Sequence, residues 1–278
     1  MPELPEVEHA RRRLLTILGE HATIEDASAL DPIVVAQPLE EWRRALVGRR
    51  IEGAERIGKN VVVRISGDHS LWFHLGMTGQ VTPCVRGASE LPRFTRWWIE
   101  TKRARVCLTD ARRLGRSLAG ARDDVRRLAK LDALGPDALS VRDPDALREA
   151  LGRAKGPIKG ALLDQSRLAG IGNIQALEAL WLARIHPERP VPRLTRDQWT
   201  SLAAAIRESL ERTLATMHDD EDVVYVEAGG PNPFLVYDRE GEPCPRCGAT
   251  IRRETARGRS SYFCPRCQRP ARAAARSK

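Results

Sequence analysis

The sequence predicts an α+β protein in three parts: an N-terminal β-sandwich with flanking helices, a helical region, and a C-terminal β-hairpin that binds metal. Three observations carry this. Between Arg50 and Asp110, short runs alternate in hydrophobicity and are punctuated by Gly and Asp, as the hairpins of a sandwich are. Beyond Leu131 apolar residues recur at helical spacing. Near the C-terminus, Cys244-Pro-Arg-Cys247 and Cys264-Pro-Arg-Cys267 form two C-x-x-C pairs with sixteen residues between them. The expected domains are residues 1–120, 121–233 and 234–278.

Each element has a local reason. Leu4, Val7, Leu14 and Leu18 share one helical face, which Arg11 interrupts. Pro5 suits the first turn, where its missing N–H is not needed, and Gly19 is placed to end the helix. A second short helix is expected over Leu39–Val47. Strands are expected at Asn60–Ile65, Ser70–Leu75, Arg96–Thr101 and Ala104–Thr109. The charge-dense stretch from Arg112 to Leu131 reads as a crossing into the second domain. Helices follow at Asp145–Leu151, Pro157–Leu163, Ile174–Ala183 and Thr195–Met217, and 218–232 reads as a loop. No internal repeat is present.

Charge distribution indicates the partner. The net charge is +9, and from Arg239 to Lys278 there are eleven Lys/Arg against three Asp/Glu. Basic residues surrounding a metal pattern read as a footprint for a polyanion, with nucleic acid in the lead. No run of about eighteen apolar residues appears, and the N-terminus lacks the apolar stretch of a secretory signal. A cytoplasmic protein is expected, with no membrane partner.

The four regularly spaced cysteines predict one zinc ion held by four thiolates, with a knuckle at each end of a hairpin. With every ligand position filled by protein, such a zinc is structural. A pair of redox C-x-x-C motifs is the weaker alternative. Arg252, Arg253, Arg257 and Arg259 lie between the knuckles, where a hairpin presents them to a phosphate backbone. Cys84 and Cys107 stand apart in strand-like sequence and read as packing residues.

The opening Met-Pro-Glu-Leu-Pro-Glu-Val-Glu adds chemistry. Removal of Met1 leaves Pro2 with a free secondary amine beside Glu3. Such an amine can attack a sugar anomeric carbon and form an iminium, while a carboxylate moves protons. Taken by itself, Pro2 serves equally well as helix punctuation.

In this setting the sequence resembles the formamidopyrimidine-DNA glycosylase and endonuclease VIII family. MPELPEVE matches the formamidopyrimidine branch, and RIGKNVVV, FHLGMTG, TDARRLG, LAGIGNIQALEALW and the cysteine finger follow in the family's order. The resemblance spans essentially the whole chain. It implies a β-sandwich, a helix–two-turn–helix domain and a zinc finger, acting as a monomer on damaged double-stranded DNA. It implies a glycosylase and abasic-site lyase of base excision repair at the bacterial nucleoid, removing formamidopyrimidine or oxidised purines.

By that resemblance Pro2 is the Schiff-base nucleophile, Glu3 the general acid/base and Glu6 a supporting carboxylate. Lys59 contacts the phosphate beside the lesion. Asn173, after Gly170-Ile171-Gly172, opens a helix whose backbone donors suit a phosphate oxygen, and Arg259 grips phosphates flanking the flipped nucleotide. Lys155 and Lys159 match a basic pair. Base flipping leaves a hole in the duplex, which Met77, Arg112 and Leu114 would fill; the family expects Phe at the last of these. Further departures are Gln175 where the family has Tyr, Arg93-Phe94-Thr95-Arg96-Trp97 replacing a His-containing stretch, and a short 218–233 loop. Retained chemistry beside drifted recognition suggests a shifted or relaxed lesion preference, extending to oxidised pyrimidines or abasic sites. The rivals are a damaged-DNA binding module without catalysis, which would have no use for Pro2 with Glu3, and a zinc-ribbon accessory factor.

Overall fold

The computed structural model describes residues 2–223, 226, 229–256 and 258–270. Arg257 and the basic tail after residue 270 therefore lie outside the described residues. The chain divides into two compact units, Met1–Ala133 with Leu214–Gly230, and Leu134–Thr213 with Pro231–Lys278.

The first unit opens with α1 (Leu4–Leu18), which carries Pro at the start and ends at Gly19 with φ +86°. Leu4, Val7, Ala10, Leu14 and Leu18 are buried along it. Ala10 thus completes the face, while Arg11 stays half-exposed on Glu8. After β1 (Ile24–Ala29), α2 (Leu39–Arg44) is shorter than its expected span. Then come β2 (Ile51–Ile57), β3 (Asn60–Ile65), β4 (His69–His74), β5 (Gln80–Cys84), β6 (Thr95–Thr101), β7 (Arg105–Thr109) and β8 (Arg116–Ala121).

They form two antiparallel four-stranded sheets, ordered β1-β6-β7-β5 and β2-β3-β4-β8. Trp97 of the first sheet meets Phe73 of the second at 5.4 Å between ring centroids. Val61, Val63 and Leu71 bury against Ile24, Ile99 and Leu108 in the same core. This is the sandwich. Area removed from water there is worth roughly 25 cal/mol per Å².

One expectation is corrected. The segment from Arg112 to Leu131 is not a bare crossing: β8 pairs with β4, Trp72 opposite Leu118, and closes the second sheet before α3 (Arg122–Leu128). Its buried stretch is only Ser117-Leu118-Ala119, two of them apolar, and the charges around it sit on exposed flanks. The strands β1, β2 and β5 were likewise not anticipated, because each mixes polar residues into a partly buried face.

The second unit is helical and then a hairpin. It contains α4 (Pro144–Leu151), α5 (Ile158–Leu163), α6 (Asn173–Leu182) and α7 (Arg196–Ala215) up to Thr213. Asp143 caps α4 by accepting from the Asp145 and Ala146 N–H groups. α6 is buried almost all round, as expected of a central helix. The finger follows as β9 (Arg252–Ala256) and β10 (Arg259–Phe263), antiparallel with Arg259 opposite Ala256.

Candidate DNA-repair site

In the first unit, Pro2 and Glu3 are buried at the start of α1. Glu3 is the N-cap, joined to Glu6 by a capping box in which the Glu3 N–H donates to Glu6 Oε2 at 2.7 Å. Burial, then the nearby Glu3 charge, pushes the Glu6 carboxyl up to about 7. Glu6 therefore acts on Glu3's backbone and holds the first turn in register.

Lys59 sits at the apex of the two-residue turn between β2 and β3, with Gly58 at φ +59°. Asn60 locks that turn: its Nδ2 donates to the Ile57 carbonyl at 2.9 Å and its Oδ1 accepts from the Trp72 indole at 3.0 Å. The turn is fixed, so the lysine emerges from a rigid base.

Met77, Arg112 and Leu114 come from two loops that are stitched together. Asp110, fully buried, accepts from the Thr78 hydroxyl, the Arg112 N–H at 3.2 Å and the Gly115 N–H at 2.8 Å. Gly76 closes the contact, because a Cβ there would lie 2.5 Å from the Leu114 and Gly115 backbone. The His74 ring accepts the Gly76 N–H at 2.9 Å through Nδ1. Burial, then the charges of Lys59 and Arg116, holds that imidazole down to about 4, so it stays a neutral acceptor. Leu114 is left 43% exposed and Arg112 is exposed. The neighbouring Arg113 is spent internally on Asp31, at 2.7 and 2.9 Å. Sequence reasoning missed Asp110 as the hub. Its position within TDARRLG was the available signal.

The loop after α7 is tied to α1. The His9 ring contacts the His218 carbonyl at 2.9 Å, Arg13 pairs with Asp222 at 2.8 Å, and Gln80 donates to the Val223 carbonyl at 2.9 Å. The expected short recognition loop continues onto residues 224, 225, 227 and 228, which lie outside the described ones.

In the second unit, Lys159, Asn173 and the strand that begins at Arg259 converge. The Ser260 carbonyl accepts from Lys159 Nζ at 2.8 Å and from Asn173 Nδ2 at 3.2 Å. Lys159 also donates to the Ser261 hydroxyl at 2.8 Å and is 5% exposed. It is a buried anchor for the hairpin, and burial lowers its amine to about 8 against the opposing pull of Glu188, with a lesser push in the same direction as burial from the Arg259 charge. The reading of Lys155 and Lys159 as a basic pair is thus divided. Lys155 is exposed ahead of α5, whereas Lys159 has its ammonium committed. Asn173 opens α6 with its Oδ1 buried and without a partner, and Arg259 projects exposed from the start of β10. Arg253 is partly engaged with the Ser260 hydroxyl at 3.0 Å.

Gln175 does not stand at a recognition surface. It is buried, donating to the Thr213 hydroxyl at 2.9 Å and accepting from the Ser209 hydroxyl at 2.6 Å. Its amide ties α6 to α7.

The Sγ atoms of Cys244, Cys247, Cys264 and Cys267 all lie within 4.8 Å of one another. Pairs stand at 4.0 Å (Cys244 to Cys267) and 3.5 Å (Cys247 to Cys264). A tetrahedron with Zn–S of about 2.3 Å has edges near 3.8 Å, so the four sulfurs fit a zinc ion. The chain carries a structural zinc site. The knuckles also bury Cys244 and Cys264 with Leu177 and Trp181 of α6, so the finger shares a core with the helix.

Comparison with known proteins agrees with this assembly. Family models for the formamidopyrimidine-DNA glycosylase N-terminal domain, its H2TH domain and the zinc finger found in FPG and IleRS match residues 1–117, 134–222 and 241–270. The formamidopyrimidine-DNA glycosylase of Chloroflexus aurantiacus is 40% identical across 96% of this chain and 98% of its own. That of Streptomyces coelicolor is 37% identical across 98% and 99%. Among solved structures, MutM in complex with DNA containing carbocyclic 8-oxo-G superposes with TM-score 0.84 at 31% identity, covering 96% of this chain and 100% of that one. MutM (Fpg) of Thermus thermophilus does so at 0.82 and 34%, covering 97% and 100%. A zinc-finger DNA-repair glycosylase is the class these features define. The chain belongs to the formamidopyrimidine-DNA glycosylase family, whose members act in base excision repair. Among the described residues no helix is long and apolar enough to cross a membrane.

Proposed function

We propose that this chain removes oxidised bases by attack of the Pro2 amine on C1′ of an extruded nucleotide, and then cleaves the strand. The N–C1′ bond forms as the C1′–base bond breaks, and the base leaves with the bonding pair and takes up a proton. Opening of the sugar ring gives an iminium. Loss of a C2′ proton then expels the 3′ phosphate, and a second elimination expels the 5′ phosphate. Glu3 would carry protons in these steps, with Glu6 holding its backbone. The zinc, when bound, holds the finger folded and leaves the chemistry to the protein.

The observation that supports this reading is the buried Pro2-Glu3 pair at the capped start of α1. Lys59, Asn173, Lys155 and Arg259 would take phosphates, and Met77, Arg112 and Leu114 would fill the vacated stack. The preferred lesions are formamidopyrimidine and oxidised purines, with discrimination relaxed by Leu114, and the work is done in the cytoplasm on the chromosome.

Borohydride trapping on duplex DNA with an abasic site tests the chemistry. Wild-type protein lacking Met1 gives a covalent adduct through its terminal amine, and Pro2→Gly gives at least about tenfold less. No adduct from zinc-loaded protein that still binds this DNA would favour a damage-binding module.

A further inference from the structure

The two knuckles repeat the same tetrapeptide, Cys-Pro-Arg-Cys, and their arginines are not explained by the metal or by the lesion site. Arg246 and Arg266 line one pocket of about 610 Å³ together with Arg184, Arg189 and Arg269. Gln198 adds an amide, and Cys247 and Cys267 form part of the wall. Among the described residues no carboxylate lines it. Among the described residues none of these five arginines forms an ion pair, whereas Arg105, Arg113 and Arg239 pair with Glu100, Asp31 and Glu242.

Two simpler explanations fall short. The arginines could exist only to neutralise the zinc centre, but four thiolates around Zn²⁺ carry about −2, leaving an excess near three positive charges. They could also be structural. Arg246 is: it stacks on Trp181 at 4.1 Å and donates to the Trp181 and Leu182 carbonyls, at 3.0 and 3.3 Å. Arg189 is partly so: its Nη2 donates to the Arg193 carbonyl at 2.9 Å, while its Nε is buried without a partner. Arg184, Arg266 and Arg269 are exposed and have no such bonds. Unpaired guanidinium groups converging on a concavity without acids suit a phosphate, which their planar forks bind bidentately.

The place of the pocket separates it from the phosphate contacts assigned above. Asn173 and Ser260 meet at the N-terminal end of α6, whereas Arg246 holds the carbonyls at its C-terminal end. Ten residues of helix put about 15 Å between them. We propose that the free arginines of this pocket, Arg184, Arg266 and Arg269, form a second phosphate site, which takes the backbone of a DNA segment other than the one gripped by Asn173 and Arg259. Such a site would hold the enzyme on undamaged DNA while a lesion is processed. It stands on the second unit alone and does not depend on the Pro2 chemistry.

The test uses full-length, zinc-loaded protein saturated with a short duplex that carries an uncleavable abasic analogue. A fluorescent undamaged duplex is then titrated and followed by polarisation. Wild type forms the ternary complex, and its affinity falls steeply with salt, by a log–log slope of about 0.9 per phosphate engaged. The triple variant R184Q/R266Q/R269Q weakens it about tenfold or more and flattens that slope by about two, while cleavage of a separate short duplex that carries a natural abasic site stays within about twofold. Arg184→Gln alone, outside the zinc loop, gives a smaller loss in the same direction and serves if the triple variant binds less than one zinc. Tripolyphosphate is the second probe. If it binds wild type and not the variants while the undamaged duplex does not bind, the site is a phosphate site for free oligophosphates and the DNA assignment is overturned. If neither probe distinguishes wild type from Arg184→Gln or the triple variant, there is no second phosphate site.

Discussion

Glu6 lies one helical turn from Glu3, with Oε2 on the Glu3 N–H and almost no access to water. Its carboxyl is raised from 4.5 to about 7, first by burial and then by Glu3. A group whose folded pKa exceeds its unfolded one gives stability that is complete below the unfolded value. That stability is lost as pH rises through the folded value, so the window here is about pH 4.5 to 7. Glu6→Gln keeps an acceptor for the Glu3 N–H and removes the titration. Wild type should lose roughly 2 kcal/mol relative to the variant between pH 5 and 8, a few degrees in Tm. Thermal denaturation at both pH values checks it, and a gap that does not change with pH would refute the burial argument. Leu114 makes the other prediction at this scale. It is exposed at a loop tip where the family expects Phe, and base–aromatic stacking is worth about 1–3 kcal/mol. Leu114→Phe should raise excision of oxidised guanine opposite cytosine about tenfold, while borohydride trapping on single-stranded abasic DNA is unchanged. Equal gains on both substrates would show that Leu114 does not act by insertion.

Elements here are held by single buried polar residues with several partners. Asp110 joins the loop of Met77 to the loop of Arg112 and Leu114, and Gln175 joins α6 to α7. Removing such a hub leaves buried donors unsatisfied, at about 1–3 kcal/mol each. Asp110→Ala should therefore cost stability and also let the two loops separate. Excision from duplex DNA should fall at least about tenfold, with much less loss of trapping on single-stranded abasic DNA, where no hole needs filling. Parallel loss on both would mean that the sandwich itself has failed. These hubs also mark where sequence reading ran out. The zinc ligands were legible because C-x-x-C spacing is local and its chemistry is fixed by residue type. The β8 strand was not, because three buried residues, only two of them apolar, carry too little period to register, and its evidence is the pairing with β4. Gln175 was misread in a different way. A residue at a family recognition position looked like altered specificity, while its hydroxyl partners come from a helix more than thirty residues away.

At the scale of the whole chain, the proposed chemistry and all of the proposed phosphate grip except Lys59 fall into different compact units. Pro2, Glu3, Lys59 and the two insertion loops belong to the first; Asn173, Arg259 and the zinc finger belong to the second. The order of parts could be read from the sequence because texture changes from alternating to helical to cysteine-spaced. The return of residues 214–230 to the first unit could not, because it rests on contacts of His218, Asp222 and Val223 with α1 and Gln80. This division makes zinc removal informative. The four thiolates hold the segment that shares Val236, Ile251 and Tyr262 with Leu177 and Trp181 of α6, so chelation should unfold the hairpin and expose that helix face. Arg259 and the Ser260 carbonyl that anchors Lys159 and Asn173 would go with it. Affinity for an abasic duplex should drop by about two orders of magnitude, with a smaller salt slope because fewer phosphates are engaged. The core of the first unit contains no ligand cysteine, so its unfolding transition should survive chelation nearly unchanged. Calorimetry before and after chelation, with binding measured at two salt concentrations, distinguishes the cases. If both transitions collapsed together, the zinc would be supporting the entire fold; if affinity held, the finger would not be the phosphate grip.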